Sequence, residues 1–463
     1  MRLDFLNRHS ELKRLEKAFS GKKSSFVCLY GRRRCGKTRL LRESLKVITH
    51  VYYSGAKRER SMQLSLLARE ISRLLPGFDR VEYPGWDELL QRWFKDSPPG
   101  AVLVLDEFPW IVEQAPELPG ILQEHIDRDY DSTRHFAICG SSQRMMMGLL
   151  LDASAPLYGR ATELIRLAPM GIEYLVDALN TSTPRQSLEN WAVWGGIPRY
   201  WEIASDFDDL WEAVSETVLD PLGVFHREPE RLLLDDMRDI VQPLSILSLI
   251  GRGSHRISEI AGRLGKQATS ISRPISRLQE LNYVERRIPF GQSPLKSKLS
   301  YYNLKDSFLR FWFRFVEPEM SLLESGGKDL VMKSIRISWD QFLGYVWEDL
   351  ARISLPRIII DNRRWGPASG WWSGRRERGI ELDVVSANPE NERELLIGEV
   401  KLRVSGKDIE PLLGNLRNKV NHTPFASGAE TIRYRLFVLD NDISHPEVIS
   451  GEQIITACAG SDN

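Results

Sequence analysis

Between residues 31 and 38 the chain reads Gly-Arg-Arg-Arg-Cys-Gly-Lys-Thr, a glycine-bracketed turn followed at once by an ammonium and a hydroxyl. Glycines at those places let consecutive backbone amides turn inward on one anion, and a helix starting there adds its positive end. Gly31, Arg32, Arg33, Arg34, Cys35 and Gly36 would wrap the phosphates of ATP, with Lys37 bridging the β and γ groups and Thr38 ligating Mg2+. Further on, Val102-Leu103-Val104-Leu105-Asp106-Glu107 is an apolar run that ends in two carboxylates. Such a pair is common on surfaces, but downstream of a phosphate loop it supplies a holder for hydrated Mg2+, Asp106, and a base that polarises water, Glu107. Ser141, or Ser142 beside it, stands where a polar sensor would lie between the halves of the site. Arg160 is spaced to act as an arginine finger in a neighbouring subunit or as a sensor in its own, against the plain alternative of a surface arginine.

A second set of chemical residues lies far downstream. Asp383 falls in one apolar run, and Glu399 and Lys401 fall two apart in the next. A strand places residues two apart on one face. Two carboxylates there can bind Mg2+, and the lysine can orient or deprotonate a water that attacks phosphorus in line, which is the chemistry of phosphodiester cleavage. A charged hairpin without chemistry has the same spacing. Arg363, Arg364, Arg375, Arg376 and Arg378 form a basic neighbourhood able to hold a nucleic-acid backbone.

The elements that must position these groups follow from periodicity. Phe26 to Tyr30 is a short apolar run feeding the glycine turn, and Leu40, Leu41 and Leu45 follow at helical spacing, so strand, loop and helix are predicted in the order the phosphate site needs. Further strands are expected at Val51 to Tyr53, Ala101 to Leu105, Phe136 to Cys139 and Leu164 to Leu167. Alternation with helices implies a parallel sheet covered on both faces. Gly171 to Arg238 reads as a helical lid rich in aromatics. Pro243 to Ile250, Ile257 to Leu264 and Thr269 to Leu281 are three helices followed by strands at Tyr283 to Ile288 and Leu299 to Asn303, the pattern of a winged helix-turn-helix. In the third helix Ile271, Ile275 and Leu278 face inward while Ser270, Ser272, Arg273, Ser276 and Arg277 face out, with Pro274 expected to kink or restart it. Arg286, Arg287, Lys296 and Lys298 would place positive charge on the wing. Such a module either contacts DNA or spaces domains.

Length and composition bound the rest. The 463 residues call for two to four domains. Hydrophobic and charged shares of 42% and 27% are those of globular chains. No apolar run reaches the roughly 20 residues of a membrane helix, and the opening is amphipathic and charged, so a cytoplasmic protein is expected. Four cysteines lack metal spacing or disulfide density. Net charge is zero, yet between Arg252 and Arg310 twelve basic residues face four acidic ones, where a phosphate backbone would be sought first.

Phe5-Leu6-Asn7-Arg8-His9-Ser10-Glu11-Leu12, the glycine loop, Leu105 to Pro109, Cys139 to Ser142, Pro156 to Arg160 and Gly195-Gly196-Ile197-Pro198-Arg199-Tyr200 together resemble an archaeal and bacterial ATPase family related to the STAND branch of AAA-like proteins. The resemblance implies that Asn7 and Arg8 lie near the adenine and Pro198 near the nucleotide from the lid. It covers nearly the whole chain, although His9 and Ser10 intervene where the family has an Arg-Glu pair. The segment around Asp383, Glu399 and Lys401 resembles the restriction-endonuclease-like PD-(D/E)XK nucleases, in which Glu348 would match an early helical glutamate. The implied fold is α/β: a P-loop AAA-like parallel sheet over 1–168, a helical lid over 169–240, a winged helix-turn-helix over 241–316, and a restriction-endonuclease-like domain over 317–463. The implied activity is ATP hydrolysis coupled to Mg2+-dependent cleavage of nucleic acid, with DNA as partner and self-association through the ATPase part. A STAND-type switch with a non-catalytic C-terminal platform and a helicase loader are the alternatives.

Overall fold

The computed structural model describes residues 5–128, 133–295, 297, 299–373, 379–440 and 444–458. The chain divides into two compact units, one comprising Phe5–Pro169 with Leu234–Arg238, the other Met170–Leu233 with Asp239–Asn463.

In the first unit five strands form a parallel sheet in the order β2-β3-β4-β1-β5, with β1 at Ser25–Tyr30, β2 at His50–Ser54, β3 at Val102–Asp106, β4 at His135–Gly140 and β5 at Glu163–Arg166. Every residue of β1, β3 and β4 is buried. That explains why they read as unbroken apolar runs: a strand covered on both faces has no polar side to alternate with. The helix Trp86–Asp96 buries Trp86, Leu89, Leu90, Trp93 and Phe94, a stripe at helical spacing. These side chains join Leu103, Leu105 and Phe136 in one core.

The second unit begins with helices, among them Ile172–Leu179, Pro184–Trp194 and Pro198–Ala204. Three more, Val241–Gly251, Ile257–Arg263 and Ala268–Glu280, precede an antiparallel pair, β6 at Val284–Arg287 and β7 at Tyr301–Leu304. Ile271, Ile275 and Leu278 are buried as the periodicity predicts. Ala268–Glu280 runs through Pro274 without a break. The proline leaves one helical carbonyl without its N–H, that of Ser270, and Ser270 is exposed where water can serve it.

The long helix Lys328–Ser354 then leads into a mixed sheet of order β12-β11-β10-β9-β8. Its strands are β8 at Ser369–Trp372, β9 at Glu381–Asn388, β10 at Asn391–Arg403, β11 at Thr431–Asp440 and β12 at Val448–Ser450. The first three form an antiparallel meander, whereas β11 runs parallel to β10 after the crossover helix Ile409–Val420. Among the described residues no helix is long and apolar enough to cross a membrane.

Candidate functional site

The glycine turn leaves β1, which lies between β4 and β5 in the parallel sheet, and there Gly31 adopts φ 154° and Gly36 φ 90°. A Cβ on Gly31 would lie 2.4 Å from the Leu167 carbonyl oxygen, so only glycine lets the loop pass the end of β5. Gly36 caps the helix Lys37–Ser44 in the left-handed region. Lys37 is buried and its Nζ donates to the carbonyls of Gly31 at 2.8 Å and Arg32 at 3.0 Å, spanning the loop. Arg34 takes φ 69°, and Cys35 is buried beneath the turn.

Asp106 ends β3 almost fully buried, at 2% exposure. Its Oδ2 accepts from Thr38 Oγ1 at 2.8 Å and from the Tyr52 hydroxyl at 2.6 Å, and its Oδ1 accepts from the Glu107 amide at 2.9 Å. The phosphate loop and the acid pair, 68 positions apart in sequence, are thus joined by one hydrogen bond. Burial, reinforced by Asp106, pushes the Tyr52 phenol far up, so it stays protonated as a donor. Nothing in the sequence marks Tyr52, one aromatic in an apolar run. The parallel pairing of β2 with β3 puts it on the face of Asp106.

Glu107 stands at φ 50°, a left-handed conformation uncommon for a residue with a side chain. Its carboxylate accepts from Ser141 Oγ at 2.6 Å and from the Ser141 amide at 3.3 Å. Ser142 is buried at the start of the helix Gln143–Leu150. Arg33 pairs with Asp235 at 2.9 Å, and Asp236 accepts from the buried Gln143 amide at 2.9 Å. Both acids come from Leu234–Arg238, a stretch expected in the lid that the structure seats with the first unit. Glu107, Ser141, Arg33 and Asp235 line a cleft of about 350 Å³.

Asn7 and Arg8 both take positive φ, 50° and 70°. Arg8 donates to the Ala168 carbonyl at 2.5 Å and pairs with Glu11 at 2.9 Å. The Asn7 Oδ1 is buried with no hydrogen-bond partner among the described residues, an acceptor suited to an amino group such as that of adenine. Arg160 is held by Asp127 through contacts of 2.8 to 3.0 Å and also donates to the Pro156 carbonyl. Its guanidinium is engaged within its own unit. Pro198 opens the helix Pro198–Ala204 of the second unit, a first-turn position where its missing N–H costs nothing.

In the second unit the meander and the long helix bring the downstream acids into one electrostatic neighbourhood. Glu348 pairs with Arg352 at 2.8 Å, one turn along, and Arg352 Nε donates to the Asp383 carbonyl at 2.7 Å. Burial, then the nearby Asp383 among its other influences, lifts the Glu348 carboxyl to about 7, although Arg352 opposes the shift. Asp383 accepts from the Val400 amide at 2.8 Å, and burial followed by Glu399 raises its carboxyl. Glu399 behaves oppositely. Burial would raise it, but hydrogen bonds from Lys401 and Lys419, each at 2.8 Å, hold it low. Lys419 comes from the helix Ile409–Val420 and had no signal in the sequence beyond its charge. Hard carboxylate oxygens with a lysine beside them suit a divalent cation such as Mg2+. The ligand oxygens of Glu348, Asp383 and Glu399 do not all come within 4.8 Å of one another; among the described residues Glu410, His445 and Glu447 do.

Two basic expectations are corrected. Arg287 does not charge the wing: it turns inward to Asp349 at 2.6 Å, beside Arg310 and Arg352, which bind the same carboxylate. Asp349 is partly buried, and these arginines overcome the desolvation and hold it well below the usual range. Arg286 donates to the carbonyls of Pro294 and Ser297. Arg363 is spent on Glu394 at 2.9 Å, whereas Arg364 is exposed. Lys296, Lys298, Arg375, Arg376 and Arg378 lie outside the described residues.

Comparison with known proteins adds three findings. Residues 5–202 match a family described as an ATPase domain predominantly from Archaea, and residues 312–411 match a family of archaeal and bacterial proteins of unknown function. An uncharacterized protein of Methanocaldococcus jannaschii is 28% identical over 421 residues, 90% of this chain and 91% of that one. A Walker-type ATPase of Pyrococcus abyssi superposes with a TM-score of 0.51 at 19% identity, covering 67% of this chain and 96% of that chain. The parallel five-stranded sheet of the first unit resembles that of P-loop ATPases, and a mixed-sheet region follows it in the chain.

Proposed function

We propose that this protein hydrolyses Mg-ATP in its first unit and uses the second to bind and cut DNA. The observation that carries the ATPase reading is the Thr38 to Asp106 hydrogen bond at 2.8 Å, with Lys37 spanning the loop beside it. Gly31 to Gly36 would cradle the phosphates through backbone amides, Lys37 would neutralise the β and γ groups, and Thr38 with Asp106 would hold the hydrated Mg2+. The cation would offset charge that develops on the transferred phosphoryl group. Glu107 would orient and polarise the attacking water once it leaves Ser141, and Ser141 would report the nucleotide state. Asn7 and Arg8 would meet the base, and Pro198 would reach the nucleotide from the helical segment. Arg160 would act on a neighbouring copy after release from Asp127, an exposed pair of the sort that contributes little stability.

The three helices and the β6–β7 pair read as a winged helix-turn-helix, its exposed Ser270, Ser272, Arg273 and Ser276 directed to phosphates and base edges. Helix, three-strand meander, helix and parallel strand around Glu348, Asp383, Glu399 and Lys401 support a PD-(D/E)XK-type nuclease. Asp383 and Glu399 would bind Mg2+, and Lys401 would position the water. The test is cleavage of linear, branched and single-stranded DNA with Mg2+ or Mn2+, each with ATP, ADP or neither. Cutting that disappears in Asp383→Ala and Lys401→Ala is the expected result, and unchanged cutting by both would remove the proposed active site.

A second reading, an ATP-dependent switch of the STAND type with a non-catalytic C-terminal platform, is favoured by one observation. Glu399 is already neutralised by two lysines. Measurable ATP turnover with no cutting under any condition would select it.

A further inference from the structure

A cleft of about 540 Å³ opens in the second unit between the β6–β7 region, one face of the long helix and the β8–β9 edge. Its volume lies within the roughly 300 to 1,000 Å³ of small-ligand sites, far too small for a duplex whose major groove alone is about 12 Å wide. Glu348 and Asp383 line it, and so do two arginines, Arg256 and Arg314. Both arginines are exposed, and among the described residues neither has a carboxylate within ion-pair distance. The other three arginines of the cleft are already paired: Arg287 with Asp349 and Glu285, Arg310 with Asp349, and Arg352 with Asp349 and Glu348. Exposed Glu259 and Glu381 also line the cleft, so the positive charge available to phosphate is confined to Arg256 and Arg314.

The aromatic lining is the second observation. Tyr345 projects from the long helix one turn before Glu348 and is 59% exposed, although it lines the cleft and its neighbours Phe342 and Val346 are buried. Across the cleft, Tyr301 and Trp372 lie with ring centroids 4.6 Å apart, and His255 extends the series against Tyr301 at 5.9 Å. An exposed aromatic that shares a cleft with unpaired arginines adds little to a folded core and suits a nucleobase. Unpaired bases stack on aromatic faces while arginines follow the backbone.

We propose that this cleft admits an unpaired nucleotide strand, stacked on Tyr345 with its backbone against Arg256 and Arg314, so that a phosphodiester is presented to Glu348 and Asp383. The proposal rests on the nuclease reading and restricts its substrate to single strands, tails and frayed ends. A duplex would reach the acids only after it is opened.

The test is equilibrium binding of fluorescein-labelled dT8 and rU8 to the full chain in EDTA, where nothing can be cut. The same-length blunt duplex serves as competitor. Micromolar or tighter binding of one or both strands, not displaced by equimolar duplex, is expected; the preferred strand identifies the sugar. Tyr345→Ala should weaken that binding about tenfold or more, and Tyr345→Phe should retain it. Equal displacement by blunt duplex, or binding unchanged in Tyr345→Ala, overturns the proposal. Because the measurement needs no cleavage, intact binding with no metal-dependent cutting would count against the nuclease reading alone.

Discussion

Asp106 shows how much of a site depends on a residue the motifs do not name. Three donors fix its carboxylate, and one of them, the Tyr52 hydroxyl, is the shortest. A hydrogen bond to a charged group contributes about 1.5 to 3 kcal/mol, and each 1.4 kcal/mol is about tenfold in rate. Tyr52→Phe should therefore lower kcat for ATP about tenfold and leave the nucleotide Kd nearly unchanged, because the substitution frees Asp106 without touching the loop. Steady-state turnover beside nucleotide titration separates the two quantities; equal turnover in the variant would mean that Thr38 and the Glu107 amide suffice. At this scale the sequence was informative where chemistry dictates residue type at fixed spacing, as in Gly31 to Thr38. It was silent on partners supplied by tertiary pairing. Tyr52, Lys419 and Asp235 carry no spacing relation to the groups they bind, and Arg287 has the local pattern of an outward charge because nothing near it reveals Asp349, 62 residues on.

At the scale of elements, buried strands were legible and their neighbours were not. The apolar runs leading to Gly31 and Asp106 became β1 and β3 because burial on both faces leaves no polar positions. Pro274 misled, since a helix with a solvated carbonyl tolerates the loss of one N–H. Within β10 a requirement invisible in sequence sits beside the acids. Gly398 faces Phe437 of β11, and a Cβ there would lie 2.4 Å from that buried ring. Overpacking of this kind costs about 1 to 3 kcal/mol. Gly398→Ala should lower the urea midpoint of the second unit and shift Glu399 with it, which denaturation curves and metal titration would register. A midpoint matching the parent chain would show that Phe437 can turn aside.

At the scale of the molecule, pH acts on the first unit through two histidines. Burial lowers both His125 and His135 from their ordinary value. The folded unit therefore prefers them neutral, and the unfolded chain takes up protons first as pH falls below about 6.5. Stability is full above that value and declines beneath it, down toward the lowered folded values. The melting midpoint of the first unit should fall between pH 7.5 and 5.5, and the fall should shrink in a His125→Gln, His135→Gln variant. An identical fall in the variant would assign the effect to other groups.

The route of the chain has a genetic consequence. It leaves the first unit after Pro169, returns for Leu234–Arg238 and leaves again. A polypeptide ending at Pro169 keeps every strand of the parallel sheet but loses Asp235 from Arg33 and Asp236 from the Gln143 amide. The first unit cannot be exchanged by one crossover between relatives without breaking these pairings. A hybrid gene that keeps them needs matched segments from both sides of the excursion.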